Sequence, residues 1–174
     1  MVKVKAKIEG TAPMLQNKFT DDDSGSKKTK KIYIDEDEAE KRVYRNDKGE
    51  VIVTSAQLKA GLVKAGTDFK YAGRKTFKEF LKAGIIFSNT EFKLSQQEYE
   101  IHKCSVVVQR SRIMRCRPMF RDWSVEFEFE IIDENIPQTV VKEIFEAAGK
   151  FQGLGDYRPE FGRYNVVGWE VIKE

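Results

Sequence analysis

Residues 123–132, WSVEFEFEII, decide the fold because apolar and polar side chains alternate along them. The apolar set is Trp123, Val125, Phe127, Phe129 and Ile131, and the polar set is Ser124, Glu126, Glu128 and Glu130. Successive side chains of a β-strand point to opposite faces, so this period of two predicts a strand with one buried face. The other face carries a row of negative charge.

A second strand with the same alternation begins the chain. Val2, Val4, Ala6 and Ile8 alternate with Lys3, Lys5 and Lys7, and Gly10 and Pro13 end the pattern. Opposite charges on neighbouring strands stabilise their pairing by about 0.2–1 kcal/mol each. We therefore expect the lysine and glutamate rows to lie side by side at the centre of one antiparallel sheet, although two separately solvated faces would give the same pattern. A sheet face with central glutamates is a poor platform for stacking RNA bases.

The remaining segments predict a βαββαβ order. Helices are expected after Thr54 or Ser55 as N-cap, from about Thr76 to Ala83, and from near Pro137. Strands are expected in the segment 99–109, as the second strand of the pattern, and from about Arg163 to Ile172. This is the split βαβ, ferredoxin-like arrangement of an α+β fold.

An insertion at about residues 16–53 interrupts this order after the first strand. Residues 16–31, QNKFTDDDSGSKKTKK, are polar and predict a mobile loop. Residues 31–35 predict a short strand, and residues 42–53, RVYRNDKGEVIV, predict a hairpin around 46–49. At 174 residues and 40% apolar composition, the chain is expected to form a single domain, 1–174.

Composition excludes several classes of protein. No apolar run approaches the roughly 18–20 residues that cross a bilayer, and the first residues, MVKVKAKIEG, lack the apolar core of a signal peptide. A cytoplasmic protein without a membrane partner is therefore expected. Cys104 and Cys116 are too few for a disulfide framework or a zinc site, so free thiols and no cofactor are expected.

A glycine-rich segment, 153–162, GLGDYRPEFG, lies between the last predicted helix and the last predicted strand. Its backbone amides are unobstructed by side chains at three positions, and Arg158 and Arg163 are close in sequence, so the segment is able to approach phosphates. It lacks the Gly-Lys-Ser/Thr ending of nucleotide-hydrolase phosphate loops. A structural turn that needs positive φ explains the same glycines.

A basic segment, 103–121, KCSVVVQRSRIMRCRPMFR, contains no acid. Its cations are Lys103, Arg110, Arg112, Arg115, Arg117 and Arg121. Arginines clustered with methionine and phenylalanine are able to pair with phosphates and to pack on bases. Alternatively, the protein's own acids neutralise them, since residues 122–134 hold six acids and no base.

Three segments resemble the RAMP superfamily, the ferredoxin-fold RNA-binding proteins of CRISPR systems. Residues 153–166, GLGDYRPEFGRYNV, are similar to its glycine-rich loop, with matches at Gly153, Leu154, Gly155, Arg158, Gly162 and Tyr164. Residues 51–66, VIVTSAQLKAGLVKAG, are similar to the strand and helix of subunits that line the guide RNA. There Ser55, Leu58 and Lys59 match, and Ala60 replaces the usual glycine. Residues 7–15, KIEGTAPML, resemble the Gly-x-x-Pro that ends the first strand of these proteins.

The resemblance implies a non-catalytic protein that binds single-stranded nucleic acid, with RNA favoured over DNA. Such a protein is either like the backbone subunits of CRISPR effector complexes or a stand-alone relative, for example one encoded by a phage. Its partners would be other complex subunits or further copies of itself along the nucleic acid. Contacts with nucleic acid are expected from Lys27, Lys28, Lys30, Lys31, Lys59, Arg110, Arg112, Arg115, Arg117, Arg121, Gly153, Gly155, Arg158, Gly162 and Arg163.

Two alternatives stay open. In target-cleaving relatives, a loop after the first strand supplies an aspartate for metal-assisted RNA cleavage, so Asp21, Asp22 and Asp23 are candidate magnesium ligands of an endoribonuclease. An ordinary polar loop contains the same residues. His102 lies in a strand pattern without a second general acid or base nearby, so a structural or surface role is expected for it. The second alternative is a structural or interaction protein of phage or prokaryotic origin without a nucleic-acid ligand.

Overall fold

The computed structural model of the chain describes residues 1–20, 34–108 and 110–172. Its strands are β1 (Val2–Gly10), β2 (Met14–Leu15), β3 (Ile52–Thr54), β4 (Lys70–Ala72), β5 (Lys75–Thr76), β6 (Ile85–Phe87), β7 (Glu91–Lys93), β8 (Glu100–Val108), β9 (Ser111–Phe120), β10 (Ser124–Ile131) and β11 (Tyr164–Ile172). Its α-helices are α1 (Asp35–Lys41), α2 (Ser55–Ala65), α3 (Phe77–Gly84) and α4 (Gln138–Ala147). Within these three ranges, no helix is long and apolar enough to span a membrane.

A four-stranded antiparallel sheet in the order β11-β1-β10-β6 forms the centre of the fold. The first and third strands of the βαββαβ pattern, β1 and β10, are neighbours in it, as the ferredoxin-like arrangement requires. One face of the sheet carries the helices, since Leu58 of α2, Leu81 of α3 and Phe145 of α4 share one buried cluster with Ala6 and Phe127. The predicted fold class is confirmed.

The charged rows of β1 and β10 lie side by side, as predicted. Lys3 lies opposite Glu130, Lys5 opposite Glu128, and Lys7 opposite Glu126. Lys3 and Lys5 reach diagonally, to Glu128 at 3.1 Å and to Glu126 at 3.6 Å, whereas Lys7 pairs with Glu126 directly opposite it, also at 3.6 Å. Apart from Val2, which is partly buried, the apolar side chains of the same strands are almost fully buried, so burial and charge specify the same register.

The second strand of the ferredoxin-like pattern is β6, and the prediction of the segment 99–109 for this place is wrong. Strand β6 pairs with β10 through Ile85, Ile86 and Phe87. The segment 99–109 instead contains β8, which forms a long hairpin with β9 in a separate sheet of order β2-β9-β8. Arg110, with a φ of 69°, lies in the turn that connects the two strands. The basic segment therefore lies on a hairpin outside the central sheet.

The insertion after β1 differs from its prediction at Asp35. Residues 31–33 of the predicted short strand lie outside the described ranges, and Asp35 begins helix α1, because four acids in the first turn favour a helix N-terminus. The predicted hairpin around residues 46–49 forms and is short: Arg45 bridges to Val51, the Asn46 N–H donates to the Glu50 carbonyl at 3.0 Å, and the Ile52 N–H donates to the Tyr44 carbonyl at 2.9 Å. Strand β3, which ends the insertion, also pairs with β7.

Gln16, at the start of the predicted mobile loop, is fixed in the interior. Its side-chain amide donates to the Ile52 carbonyl at 2.9 Å, and its oxygen accepts from the Tyr44 N–H at 2.8 Å. The loop prediction is therefore wrong at Gln16, which joins the end of β2 to the segment before α2.

Candidate nucleic-acid interface

The glycine-rich segment 153–162 is a closed loop between α4 and β11. It follows a π-helical turn, Ala148–Gln152, and Gly153, Gly155 and Gly162 have φ angles of 73°, 87° and 81°. The Leu154 N–H donates to the Gly162 carbonyl at 2.8 Å, which closes the loop on itself. We call residues 153–162 the glycine loop.

The glycine loop is anchored to the chain that follows β1. The Asp156 N–H donates to the Leu15 carbonyl at 2.7 Å, and the Gly162 N–H donates to the Pro13 carbonyl at 2.7 Å. These bonds join the two segments that resemble the RAMP superfamily at 7–15 and 153–166.

Close backbone approach within the fold accounts for two of the glycines. A Cβ at Gly155 would collide with the Leu15 carbonyl oxygen, and a Cβ at Gly162 would collide with the Leu154 carbonyl oxygen. Because both positions also have positive φ, any side chain there would strain the loop. The structural explanation of these glycines therefore holds, and their contact with a ligand stays a proposal.

A cleft of about 300 Å³ separates the glycine loop from the start of α2. Its lining residues are Tyr44, Thr54, Ala56, Gln57, Ala60, Gly155 and Arg158. The cleft thus brings together the segments 51–66 and 153–166, which are far apart in sequence.

The α2 side of the cleft is held by a capping box. The Gln57 N–H donates to Thr54 Oγ1 at 3.3 Å, and the Thr54 N–H donates to Gln57 Oε1 at 3.0 Å. The Ser55 N–H donates to the Thr90 carbonyl at 2.9 Å. These bonds satisfy helix-terminal N–H groups and fix the wall of the cleft.

The cations near the cleft differ in how far their charged groups are free to bind a ligand. Arg158 is exposed and makes no ion pair or hydrogen bond with any residue in the described ranges. Arg163 is exposed as well, and its Nε donates to the Pro159 carbonyl at 2.9 Å. Lys59 on α2 is only half-exposed, and its Nζ donates to the Ile85 carbonyl at 2.8 Å, so its ammonium serves the contact between α2 and β6.

Four of the six cations of the basic hairpin, β8–β9 and the residue after it, are paired with acids. The pairs are Lys103–Asp35 at 2.7 Å, Arg115–Glu38 at 3.3 Å, Arg117–Asp156 at 3.1 Å and Arg121–Glu100 at 2.9 Å. Two of the acids belong to α1, which packs along β9. The hydrogen bond from Lys103 holds the pKa of Asp35 below its ordinary value, and the bond from Arg121 does the same for the pKa of Glu100.

Glu38 is the central acid of this contact. Its side chain is buried, and its Oε2 accepts a hydrogen bond from the Cys116 N–H of β9 at 3.0 Å. Arg117 also lies within 4.0 Å of Glu38. Burial, together with a hydrogen bond to Asp35, raises the pKa of the neighbouring Cys116 thiol to about 11. The contact is therefore a built part of the fold.

Arg110 and Arg112 lie at the tip of the hairpin. Both are exposed, and neither has an ion-pair partner among residues 1–20, 34–108 and 110–172. Val107 and Met114 are exposed beside them, at 67% and 48%. The basic segment thus offers two uncompensated arginines, with exposed apolar side chains next to them.

The base of the hairpin lies against the glycine loop. Arg117 Nε donates to Asp156 Oδ2 at 3.1 Å, and the rings of His102 and Phe161 have centroids 5.0 Å apart. Tyr157 also stacks edge-on against Phe161, at 6.0 Å. The sequence pattern identified Tyr164 but not Tyr157 or Glu38. The ordinary composition around both residues carries no signal of their environment.

The remaining predicted site residues lie outside the described ranges. They are Asp21, Asp22, Asp23, Lys27, Lys28, Lys30 and Lys31. Within the described ranges, no group of three or more histidine, cysteine, aspartate or glutamate side chains is placed to hold a metal ion.

Comparison with known proteins reports on the fold. No protein-family model and no curated protein matches the sequence. The chain is similar to one in the cryo-EM structure of the Type III-B Cmr-beta bound to cognate target RNA, with a TM-score of 0.69 and 9% identity. That match covers 99% of this chain and 61% of the other. A CRISPR protein from Archaeoglobus fulgidus matches at a TM-score of 0.46 and 11% identity, over 99% of this chain and 65% of that one. The chain thus spans less than two thirds of either neighbour.

Proposed function

We propose that this protein is a RAMP-type, non-catalytic protein that binds single-stranded nucleic acid, with RNA favoured over DNA. The observation that carries the proposal is the cleft between the glycine loop and the start of α2. Two segments that separately resemble the RNA-binding parts of the RAMP superfamily line this one cleft. Its ligand would be a stretch of sugar-phosphate backbone.

The chemistry of the cleft suits a phosphate. Arg158 contributes a guanidinium without an intramolecular partner in the described part of the chain, and guanidinium groups bind phosphate oxygens in a bidentate manner. The α2 wall of the cleft presents the short side chains of Ala56 and Ala60, and the Gln57 side chain beside them is held by the capping box. The positive end of the α2 dipole, near Thr54, adds a favourable field for an anion.

The open face of the central sheet is unsuited to the same ligand. The carboxylates of Glu126 and Glu128 stand in its centre, and the lysines of β1 already pair with them. A phosphate chain across this face would meet both repulsion and competition for the lysines. The proposal therefore places the nucleic acid at the cleft rather than across the sheet.

The hairpin tip is the second proposed contact. Arg110 and Arg112 keep their charge uncompensated by described acids, whereas Arg115, Arg117 and Arg121 are paired. A paired cation must first break its own ion pair, so it adds less to binding than a free one does. We infer that Arg110, Arg112 and Arg158 contribute more to affinity than the other arginines named above.

The partners follow from the same proposal. The solved structure that contains the fold neighbour of 9% identity is of the Type III-B Cmr-beta bound to target RNA, and this is compatible with a nucleic-acid ligand here. Other subunits of a CRISPR effector complex, or further copies of this chain along one strand, would be the protein partners. A stand-alone phage protein would bind the nucleic acid without such subunits.

Fluorescence anisotropy with labelled single-stranded RNA, single-stranded DNA and duplexes tests the proposal. We expect the parent protein to bind the single strands more tightly than the duplexes, and Arg158→Ala to weaken binding to all of them. Arg121→Ala is the matched control, because its guanidinium is already held by Glu100 at 2.9 Å. No binding of the parent to any nucleic acid at low salt would contradict the proposal and favour an interaction protein.

A cleavage assay separates binding from catalysis. The parent is incubated with the labelled RNA and Mg²⁺, and we expect the RNA to remain intact. Cleavage that disappears in an Asp21→Ala, Asp22→Ala, Asp23→Ala triple variant would instead identify a metal-dependent endoribonuclease.

A further inference from the structure

Tyr157 is an exposed aromatic residue in a backbone conformation that side chains disfavour. Its side chain is 60% exposed, and its backbone has a φ of 56°, in the left-handed region that side chains disfavour. A non-glycine residue persists there only when its surroundings over-determine the conformation. Hydrogen bonds on both sides do so, from Asp156 N–H to the Leu15 carbonyl and from Phe161 N–H to the Tyr157 carbonyl.

The ring of Tyr157 contributes little to the fold. Its one ring-to-ring contact with a described residue is the edge-on contact with Phe161, at 6.0 Å between centroids. Glycine would adopt the same backbone conformation without steric penalty. A strained aromatic residue that buries so little of its ring points to a use outside the fold.

The surroundings of the ring suit a nucleobase. Phe161 contacts the Tyr157 ring edge-on and in turn packs on His102, at 5.0 Å between ring centroids. The neighbouring Asp156 carboxylate forms an ion pair with Arg117 of the hairpin at 3.1 Å, so its negative charge is compensated. Arg158, the next residue, lines the cleft proposed to hold a phosphate.

We propose that Tyr157 stacks on a base of the bound single strand, an inference that rests on the proposed function. Consecutive Cα atoms are about 3.8 Å apart, so Tyr157 and Arg158 are spaced to contact the base and the phosphate of the same or an adjoining nucleotide. Stacking on a π-face is tolerant of sequence, because every base presents one. The site therefore selects an unpaired base, and duplexes, whose bases are stacked internally, are excluded from it.

Binding to a labelled single-stranded oligoadenylate, and to an oligomer of equal length with abasic nucleotides, tests this inference. Loss of a stacked base corresponds to about a 5- to 150-fold weaker affinity, so we expect this loss for Tyr157→Ala on the oligoadenylate. Tyr157→Phe retains the ring and should bind like the parent. On the abasic oligomer, Tyr157→Ala should equal the parent, because there is no base to lose.

Two controls keep the test independent of folding and of charge. Tyr157→Gly should show the same binding loss with a thermal midpoint close to that of the parent, since glycine accepts the positive φ. The slope of log affinity against log salt should be unchanged in Tyr157→Ala, because no phosphate contact is removed. Tyr71→Ala, an aromatic substitution on the β4–β5 hairpin outside the cleft lining, should leave the affinity unchanged.

The possible failures are distinguishable. If the parent binds the oligoadenylate and Tyr157→Ala binds it equally well, the stacking inference is overturned and the proposed function stands. An equal loss on the abasic and normal oligomers also overturns it, since the ring would then act without a base. If the parent binds neither oligomer, the proposed function itself fails.

Discussion

Replacing Gly162 and Gly49 by alanine separates two reasons for glycine that are usually confounded. Both residues have positive φ, 81° at Gly162 and 78° at Gly49. A Cβ at Gly49 would have no atom within 4 Å, whereas a Cβ at Gly162 would collide with the Leu154 carbonyl oxygen. The two substitutions therefore share the cost of the backbone conformation and differ in the cost of the close approach.

The expected magnitudes follow from these contacts. The left-handed conformation costs alanine about 1–2 kcal/mol, and the loss of glycine's entropy in the unfolded chain returns about 0.4–1 kcal/mol. Gly49→Ala should thus lower the free energy of unfolding by about 1 kcal/mol. Gly162→Ala must also displace the bonds Leu154 N–H to Gly162 carbonyl and Gly162 N–H to Pro13 carbonyl. At about 0.5–1.5 kcal/mol for each bond, the total becomes about 2–4 kcal/mol.

Urea denaturation of the parent and the two variants, followed by tryptophan fluorescence, measures both free energies. Trp123 is buried and in contact with Tyr164 at the start of β11, so its fluorescence should follow the packing of this part of the fold. Equal losses for Gly49→Ala and Gly162→Ala would refute the argument that the glycine loop is shaped by close backbone approach.

Three further predictions concern the sheet, the thiols and the response to alkali. A double-mutant cycle on Lys3 and Glu128 should show a favourable coupling of about 0.2–1 kcal/mol, because their charged groups are 3.1 Å apart and both side chains are more than a third exposed. Zero coupling would contradict the charge pairing between β1 and β10. In a thiol titration of the native protein at neutral pH, we expect the half-exposed Cys104 to react first. Cys116 should react only on unfolding, because it is buried and its pKa is raised to about 11. A Cys104→Ser variant that keeps the fast phase would refute this assignment. Burial and the hydrogen bond to Glu40 raise the pKa of Tyr99 from 10.0 to about 12, so the contribution of this tyrosine to stability should be full below pH 10 and lost between pH 10 and about 12. In Tyr99→Phe, the thermal midpoint should therefore fall less steeply over this pH range than it does in the parent. An identical fall in both proteins would contradict the assignment.

The central sheet was predictable because its signal is local and redundant. In β1 and β10, every second residue is apolar, and the intervening charges are opposite in sign, so each strand predicts both its buried face and its partner. Strand β6 has three residues and no alternation, and for this reason the longer segment 99–109 was mistaken for the second strand. Length and β-propensity favoured β8 as the second strand of the pattern, but that place belongs to the strand that pairs with β10, which is β6.

The state of the hairpin cations was not predictable, because their partners are distant in sequence. Asp35 and Lys103 are 68 residues apart, and Glu38 and Arg115 are 77 residues apart. Moreover, α1 carries a short polar sequence with a single apolar residue, Ala39, so periodicity does not identify it as a helix. The sequence left both explanations of the basic segment open, and the structure assigns partners to four of its six cations.

The sequence predicted the position of the glycine loop, but it predicted only one of the two structural reasons for its glycines. Positive φ was one of the two explanations available from sequence, and it holds at Gly153, Gly155 and Gly162. The contact of the loop with the Pro13 and Leu15 carbonyls depends on chain segments more than a hundred residues away. The strained conformation of Tyr157 likewise has no counterpart in its local composition.

The salt dependence of binding to single-stranded RNA, measured for the parent, Arg158→Ala and Arg121→Ala, tests the central claim most directly. For single strands, the slope of log affinity against log salt changes by about 0.7 for each phosphate contact. If Arg158 holds a phosphate in the cleft, its replacement should weaken binding and make the slope shallower by about this amount, while Arg121→Ala retains the slope of the parent. An unchanged slope in a folded Arg158→Ala variant, or equal changes in both variants, would contradict the assignment of the cleft as the nucleic-acid site.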